Sequence, residues 1–215
     1  MNSLDLLNIA IPIAIVLIAL TIHETAHAWS ADKLGDPTAR MLGRVSLNPI
    51  VHIDPIGTLL LPLLAAYSGL PIIGWAKPVP VNTSRLGNPR RDFMIVAAAG
   101  PISNLLQALV AAILLQAITP AGETIYSLVA SGSIAAFVLA SAVRINVFLA
   151  VFNLIPVPPL DGGNVLAGLL PPSGARIFDG MRPYGFIILY ALMFTGTLSA
   201  LIVPPAFFLI RLLLP

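Results

Sequence analysis

Three side chains able to bind a metal or move a proton stand within five residues in His23-Glu24-Thr25-Ala26-His27. On a helix, positions i and i+4 lie about 40° apart around the axis and about 6 Å along it, so both imidazoles can reach one ion. Glu24 stands beside them, placed to take a proton from metal-activated water, which is the division of labour used by zinc hydrolases. The chain has only three His and two Glu, so their gathering here is improbable as chance placement. Catalytic zinc generally takes three protein ligands and keeps a fourth position open for water. A third ligand must therefore come from elsewhere, and with no cysteine in the chain it must be His, Asp or Glu.

The element that carries the cluster is unusual. Seventeen residues from Leu6 to Ile22 contain no charged side chain, long enough with its flanks to span a bilayer. The Ala-His-Ala at 26–28 imitates a leader-peptidase site, but the basic leader flank is missing and Asp5 stands there instead, so the run reads as a retained helix ending before Gly35, Asp36 and Pro37. At about 1.5 Å per residue, the run places His23 about 25 Å from its outer end, inside the membrane near one face. Composition agrees: 58% of the 215 residues are hydrophobic and 9% charged, against roughly 25% charged in ordinary soluble domains. The net charge of +2, with scattered basic residues, gives no phosphate-tracking stripe and excludes a nucleic-acid partner.

Further spanning runs are expected over 92–118, 134–156 and 184–214, the last interrupted at Pro204 and Pro205. An excursion from Ile56 to Trp75, broken by Pro62, Gly69, Pro71 and Gly74, reads as helix followed by extended chain. If it enters the membrane and returns, nine of the eleven basic residues share one side, which the positive-inside rule names cytoplasmic. A non-helical return strand at membrane depth is tolerable only where protein buries it or it lines a water-filled cavity. The reading is an all-α polytopic membrane protein with about four to six transmembrane helices and a short membrane-embedded β-strand or re-entrant segment. Residues 1–215 form a single integral-membrane domain.

This topology sorts the candidates for a third ligand: His52, Asp54, Glu123, Asp161 and Asp179. Glu123 falls on the far side, and Asp179 stands beside Arg176 and Arg182, where a solvated role suits it. Asp161 lies in Phe-Asn-Leu-Ile-Pro-Val-Pro-Pro-Leu-Asp-Gly-Gly, at the cytoplasmic end of the span from Ile134. Pro156, Pro158 and Pro159 must end that helix, and Gly162 and Gly163 let the backbone turn Asp161 towards the bundle, at the depth of His27.

His-Glu-x-x-His in one span and Asn-x-x-Pro-x-x-Pro-Leu-Asp-Gly-Gly in a later one resemble the site-2 protease family of intramembrane zinc metalloproteases, in a compact form without a PDZ or CBS module. The resemblance extends to Ala-Ala-Ala-Gly-Pro-Ile-Ser-Asn at 97–104 and Gly-Trp-Ala-Lys-Pro-Val-Pro-Val-Asn at 74–82. It implies His23, His27 and Asp161 as ligands to one Zn²⁺, Glu24 as general base, and Asn153 as an aid to substrate or transition-state binding. It also implies a transmembrane protein as substrate and regulated intramembrane proteolysis as the setting.

The prolines at 78 and 80 remove two N–H groups from the same edge of any strand there. The opposite edge, Lys77, Val79 and Val81, keeps its donors and can pair with an unwound substrate segment. His52, at the start of the excursion, is a candidate for stabilising an oxyanion. Asn146 and Asn153 share a helix face as a polar wall, and Trp29, Trp75 and Tyr184 read as interfacial anchors. Arg144 stands mid-span, where an unpaired charge is expensive. The sequence therefore points to a multi-pass zinc endopeptidase of a plasma (inner) membrane with its active site near the cytoplasmic face. A metal-ion transporter and a non-catalytic membrane-binding homologue are the alternatives. The first needs polar residues on both sides of the ion, yet in the run from Leu6 to Ile22 only Asn8 and Thr21 are polar. The intact Glu24 opposes the second.

Overall fold

The computed structural model describes residues 3–68 and 74–214. The charge-free start of the chain is part of one helix, α1 (Ser3–Lys33), which continues through the His-Glu-x-x-His cluster. A short helix α2 (Thr38–Met41), a 3₁₀ turn (Pro49–His52) and a widened helical turn (Pro55–Leu60) lead into α3 (Leu61–Ser68). The long helix α4 (Pro89–Ile118) is started by Asn88, whose side chain accepts from the Arg91 N–H, and by Pro89 in the first turn, where a missing donor costs nothing. After α5 (Ile125–Ala130), α6 (Ile134–Asn153) is capped by Ser133 in the same manner. Then follow α7 (Asp161–Leu169), α8 (Pro172–Met181), α9 (Gly185–Phe194) and α10 (Thr197–Leu213).

Helices α1, α4 and α6 pack together as the centre of the molecule. Their contact faces are built from small residues: Ala19 and Ala28 on α1, Ala97, Gly100 and Ala108 on α4, Ala140 and Ala150 on α6, all buried. Without a hydrophobic drive between helices in lipid, close backbone approach is what such faces provide. Four stretches are long and apolar enough to cross a membrane, Leu6–Lys33, Pro89–Ile118, Ile134–Asn153 and Pro172–Phe194. The chain is thus an all-helical integral membrane protein.

Two sequence expectations change here. The final apolar run from 184 to 214 breaks at Gly196, whose φ of +75° is open to glycine at little cost, while Pro204 and Pro205 lie inside α10. Contacts also show which part runs the length of the bundle. Leu198 of α10 packs with Ile155 and Leu160 beyond one end of α6, whereas Ile210 and Leu214 pack with Leu115, Ile125 and Ala136 near the other. Gln116 Nε2 donates to the Leu213 carbonyl at 3.0 Å there. Helix α10 therefore runs alongside α6, while α9 stays beside the loop that follows α6.

The expected β-strand is the second change. No strand exists among the described residues, and 74–82 is irregular chain up to the 3₁₀ turn at Thr83–Arg85. The reason is that Pro78 and Pro80 cannot donate, the Lys77 N–H is already taken by the His52 carbonyl at 2.9 Å, and the Val79 and Val81 N–H groups meet no backbone acceptor among the described residues, so no ladder forms there. The two ends of the excursion are nonetheless joined, Trp75 N–H to Gly57 carbonyl at 3.1 Å and Thr58 hydroxyl to Trp75 carbonyl at 2.9 Å. Gly69 and Pro71, expected to break it, lie outside the described residues. Arg144 remains in the middle of α6, exposed, with no ion pair or hydrogen bond among the described residues.

Candidate metal centre and catalytic cavity

His23 and His27 project from successive turns of α1 towards α4. His27 Nδ1 lies 2.7 Å from the Val96 carbonyl, which can only accept, so this nitrogen carries the proton and Nε2 is left with a lone pair. His23 Nδ1 lies 2.6 Å from Asn104 Oδ1 and is fixed in the same tautomer. Asn104 in turn donates to Asn146 Oδ1 at 2.9 Å, and Asn146 donates to the Ala142 carbonyl at 3.0 Å. Such outer partners orient a metal-binding imidazole and raise its basicity.

The two lone-pair nitrogens face each other at 3.0 Å, and Asp161 Oδ2 stands 3.1 Å from the first and 3.3 Å from the second. Three acceptors at this separation repel one another unless a cation sits among them. Tetrahedral zinc with bonds of about 2.0–2.1 Å places its ligand atoms roughly 3.3 Å apart, close to what is observed. Asp161 Oδ2 is moreover buried without a hydrogen-bond donor among the described residues. A side chain at Gly100 would occupy this place: its Cβ would stand 2.4 Å from His27 Nε2 and 2.6 Å from His23 Nε2. The donor set, the spacing and the glycine together fit a metal ion.

Asp161 is delivered by the end of α6. The chain leaves that helix at Asn153, passes Pro156, Pro158 and Pro159, and starts α7 with Asp161 itself. The expected role of Gly162 and Gly163 in turning the backbone is not what they do, since neither has a positive φ. They allow α7 to sit directly on the preceding loop; a Cβ on Gly162 would lie 2.2 Å from the Leu154 carbonyl oxygen.

The group opens into a cavity of about 650 Å³ that is also lined by Glu24, Asn153, Val79 and Val81. Glu24 is buried, and Asn153 Nδ2 donates to the Leu149 carbonyl at 3.0 Å, leaving its second N–H for the cavity. The N–H groups of Val79 and Val81 make no hydrogen bond among the described residues. Lys77, expected on that same edge, is not among the lining residues; its N–H is bonded to His52 and its carbonyl accepts from Arg44. His52 does not line the cavity either. Its Nε2 donates to the Ser46 carbonyl at 2.8 Å, which ties the turn before the excursion. Trp75, expected as an interfacial anchor, lines the cavity and packs against Phe186 with ring centroids 5.3 Å apart, whereas Trp29 and Tyr184 are exposed.

Sequence reasoning missed Gly100, Asn104 and the Val96 carbonyl. The available signal was Gly100-x-x-x-Asn104, a four-residue spacing that puts both on one face of α4, opposite His23 and His27.

The family profile of peptidase family M50 matches residues 119–196. A Bacillus subtilis (strain 168) protein named "Putative zinc metalloprotease YwhC" is 38% identical over 180 residues, covering 84% of this chain and 78% of that protein. The chain belongs to peptidase family M50, the site-2 proteases. Proteins named "Putative zinc metalloprotease Rip2" from Mycolicibacterium smegmatis and Mycobacterium tuberculosis (strain H37Rv) are 32% and 30% identical, each over 85% of this chain. The chain spans 66% of the length of each Rip2 protein. No solved structure matches.

Proposed function

We propose that this site-2 family member hydrolyses peptide bonds in or near transmembrane segments of membrane-protein substrates, as a single integral-membrane domain with one Zn²⁺ held by His23, His27 and Asp161. The observation that carries the reading is the meeting of three metal-binding atoms, two imidazoles with fixed tautomers and one carboxylate, in a cavity that also contains Glu24. When bound, zinc supplies an electropositive centre that lowers the pKa of water towards about 7 and polarises the scissile carbonyl. Glu24 takes the proton from the attacking water as the carbon–oxygen bond forms. It then gives that proton to the amide nitrogen as the carbon–nitrogen bond breaks. Asn153 offers its unused N–H to the developing oxyanion.

A transmembrane helix keeps its carbonyls in internal hydrogen bonds, so the substrate must unwind before water can attack. The free N–H groups of Val79 and Val81 line the cavity where an unwound strand would lie, and this supports their pairing with substrate. The excursion from 56 to 75 is read as re-entrant because its two ends are bonded to each other. A re-entrant path would keep nine of the eleven basic residues on one side, which supports an active site near the cytoplasmic face of a plasma (inner) membrane.

The test is cleavage of a transmembrane substrate by the purified, reconstituted protein. Glu24→Gln should retain one zinc per chain and lose turnover; retained turnover overturns the role of Glu24. Zinc flux in proteoliposomes without any cleavage would replace proteolysis by transport.

A further inference from the structure

The catalytic cavity has a neighbour. A second cavity of about 290 Å³ opens at the start of α4, lined by Arg90, Ala167, Asp179 and Arg182, and it shares two wall residues with the first, Phe93 and Asn164. Both shared residues are one helical turn from the metal centre: Asn164 follows Asp161 by three positions on α7, and Phe93 precedes Val96 by three on α4. These two side chains stand between the cavities.

The chemistry of the second cavity is that of an anion site. Arg90 Nη2 donates to the Ala167 carbonyl at 3.2 Å, but its Nε is buried without an acceptor among the described residues. Arg182 Nε donates to Asp179 Oδ1 at 2.8 Å, in a pair whose side chains are 42% and 55% exposed. Two guanidinium groups and one carboxylate thus line the cavity, and one buried N–H is left unsatisfied among the described residues. A native protein rarely leaves such a donor idle.

We propose that this second cavity receives an acidic side chain of the substrate polypeptide, on the aqueous flank of the bond that is cut. The proposal rests on the proteolytic reading and names its substrate preference. A peptide rather than a lipid headgroup is favoured because the cavity shares the walls Phe93 and Asn164 with the catalytic one, so it lies beside a chain leaving the scissile position. Ala167, bonded to Arg90, lies six residues beyond Asp161, about 9 Å along α7. Extended chain covers about 3.3 Å per residue, which puts the acidic position about three residues from the scissile bond. A carboxylate there meets the positive charge of Arg90 in the cavity wall and accepts from the remaining N–H groups of Arg182. A lysine at the same position meets two arginines and is disfavoured.

The experiment uses three labelled transmembrane peptides that differ only in carrying Glu, Gln or Lys at that position, with the neighbouring positions scanned. Binding is measured by fluorescence anisotropy on the Glu24→Gln protein, and cleavage on the protein with Glu24 intact. Expected is about ten-fold tighter binding of the Glu peptide than of the Gln peptide, with the Lys peptide weakest. Adding Arg90→Gln or Arg182→Gln should bring Glu and Gln to parity and leave the Gln peptide within two-fold. Arg182→Glu should reverse the preference towards Lys; Arg182 is half-exposed, so its variants read out even where Arg90→Gln fails to fold. Equal binding of all three peptides overturns the proposal. So does a loss on all three that follows the anionic-lipid content of vesicles, which would make the cavity a lipid site. A Glu preference in binding with no peptide cleaved by the protein with Glu24 intact leaves the cavity assigned and sinks the proteolytic reading instead.

Discussion

Adding one methyl group at Gly100 should disable the metal centre without unfolding the protein. The Cβ of Gly100→Ala would lie 2.4 Å from His27 Nε2 and 2.6 Å from His23 Cε1, and real Cβ contacts under 3.0 Å essentially do not occur. Relief requires α4 to withdraw from α1, or the imidazoles to swing, by roughly 1 Å, against a tolerance of about 0.2 Å for metal–ligand distances. Neither movement is free, because the Nδ1 bonds to Asn104 and Val96 hold both rings to α4 itself. Affinity should fall at least as far as in loss of an outer-shell partner, 10- to 100-fold, or about 1.4–2.7 kcal/mol. Alanine in place of a helical glycine by itself adds about 0.5–1 kcal/mol of stability, which favours a folded variant. Cobalt(II) titration followed by visible absorption, with zinc competition, measures the affinity in detergent. Thermal unfolding of the metal-free protein controls for folding. Metal affinity within two-fold of the parent chain, in a protein that melts at or above the parent temperature, would refute the reasoning.

Asn104→Leu removes the acceptor of His23 Nδ1–H and strands Asn146 Oδ1, so zinc affinity should drop about 10- to 100-fold by chelator competition, while Asn146→Leu, one bond further out, should cost less. Chelation should lower the melting temperature, since it leaves three mutually repelling acceptors; free zinc at about 1,000 times its Kd should restore about 4 kcal/mol, equally in the Glu24→Gln variant. Asp36 lies outside the spanning helices, buried in the turn after α1. Burial alone would raise its pKa, but hydrogen bonds from the Thr38 hydroxyl, the Asn82 N–H and the Thr38 N–H, with the Arg85 charge, hold it below the ordinary carboxylate value. A depressed folded-state pKa means that its stabilisation is complete above the unfolded pKa of about 4 and is lost as the pH falls through the lower folded value. Denaturant melts should therefore show a stability loss below about pH 4 that Asp36→Asn lacks, with that variant weaker by about 1–3 kcal/mol at pH 7.

The chemistry was easier to read in the sequence than the scaffold that holds it. His-Glu-x-x-His announces itself because its spacing matches the helix period, and the charge-free run before it can be little other than a helix. Asp161 was found because three prolines must stop α6 at a definite place. Asn104 and Gly100 stood in view within an Ala/Gly-rich stretch, yet their roles depend on which face of α4 meets α1, and local pattern is silent on that pairing. The strand at 74–82 failed for a similar reason: the prolines were visible, but the capture of the Lys77 N–H by His52 is a contact 25 residues back in the chain. In the final apolar run, Pro204 and Pro205 looked like the break. The backbone instead turns at Gly196, where a positive φ is available at little cost.

Proteolysis by this chain depends on one zinc ion held by His23, His27 and Asp161 beside Glu24, as proposed above. X-ray absorption at the zinc edge of the purified protein, with metal counting, tests it most directly. Expected is one zinc per chain with two imidazole nitrogens and light oxygen neighbours at about 2.0–2.2 Å, and a first shell that changes in Asp161→Asn. A shell without paired imidazoles, or one that Asp161→Asn leaves unchanged, would contradict it.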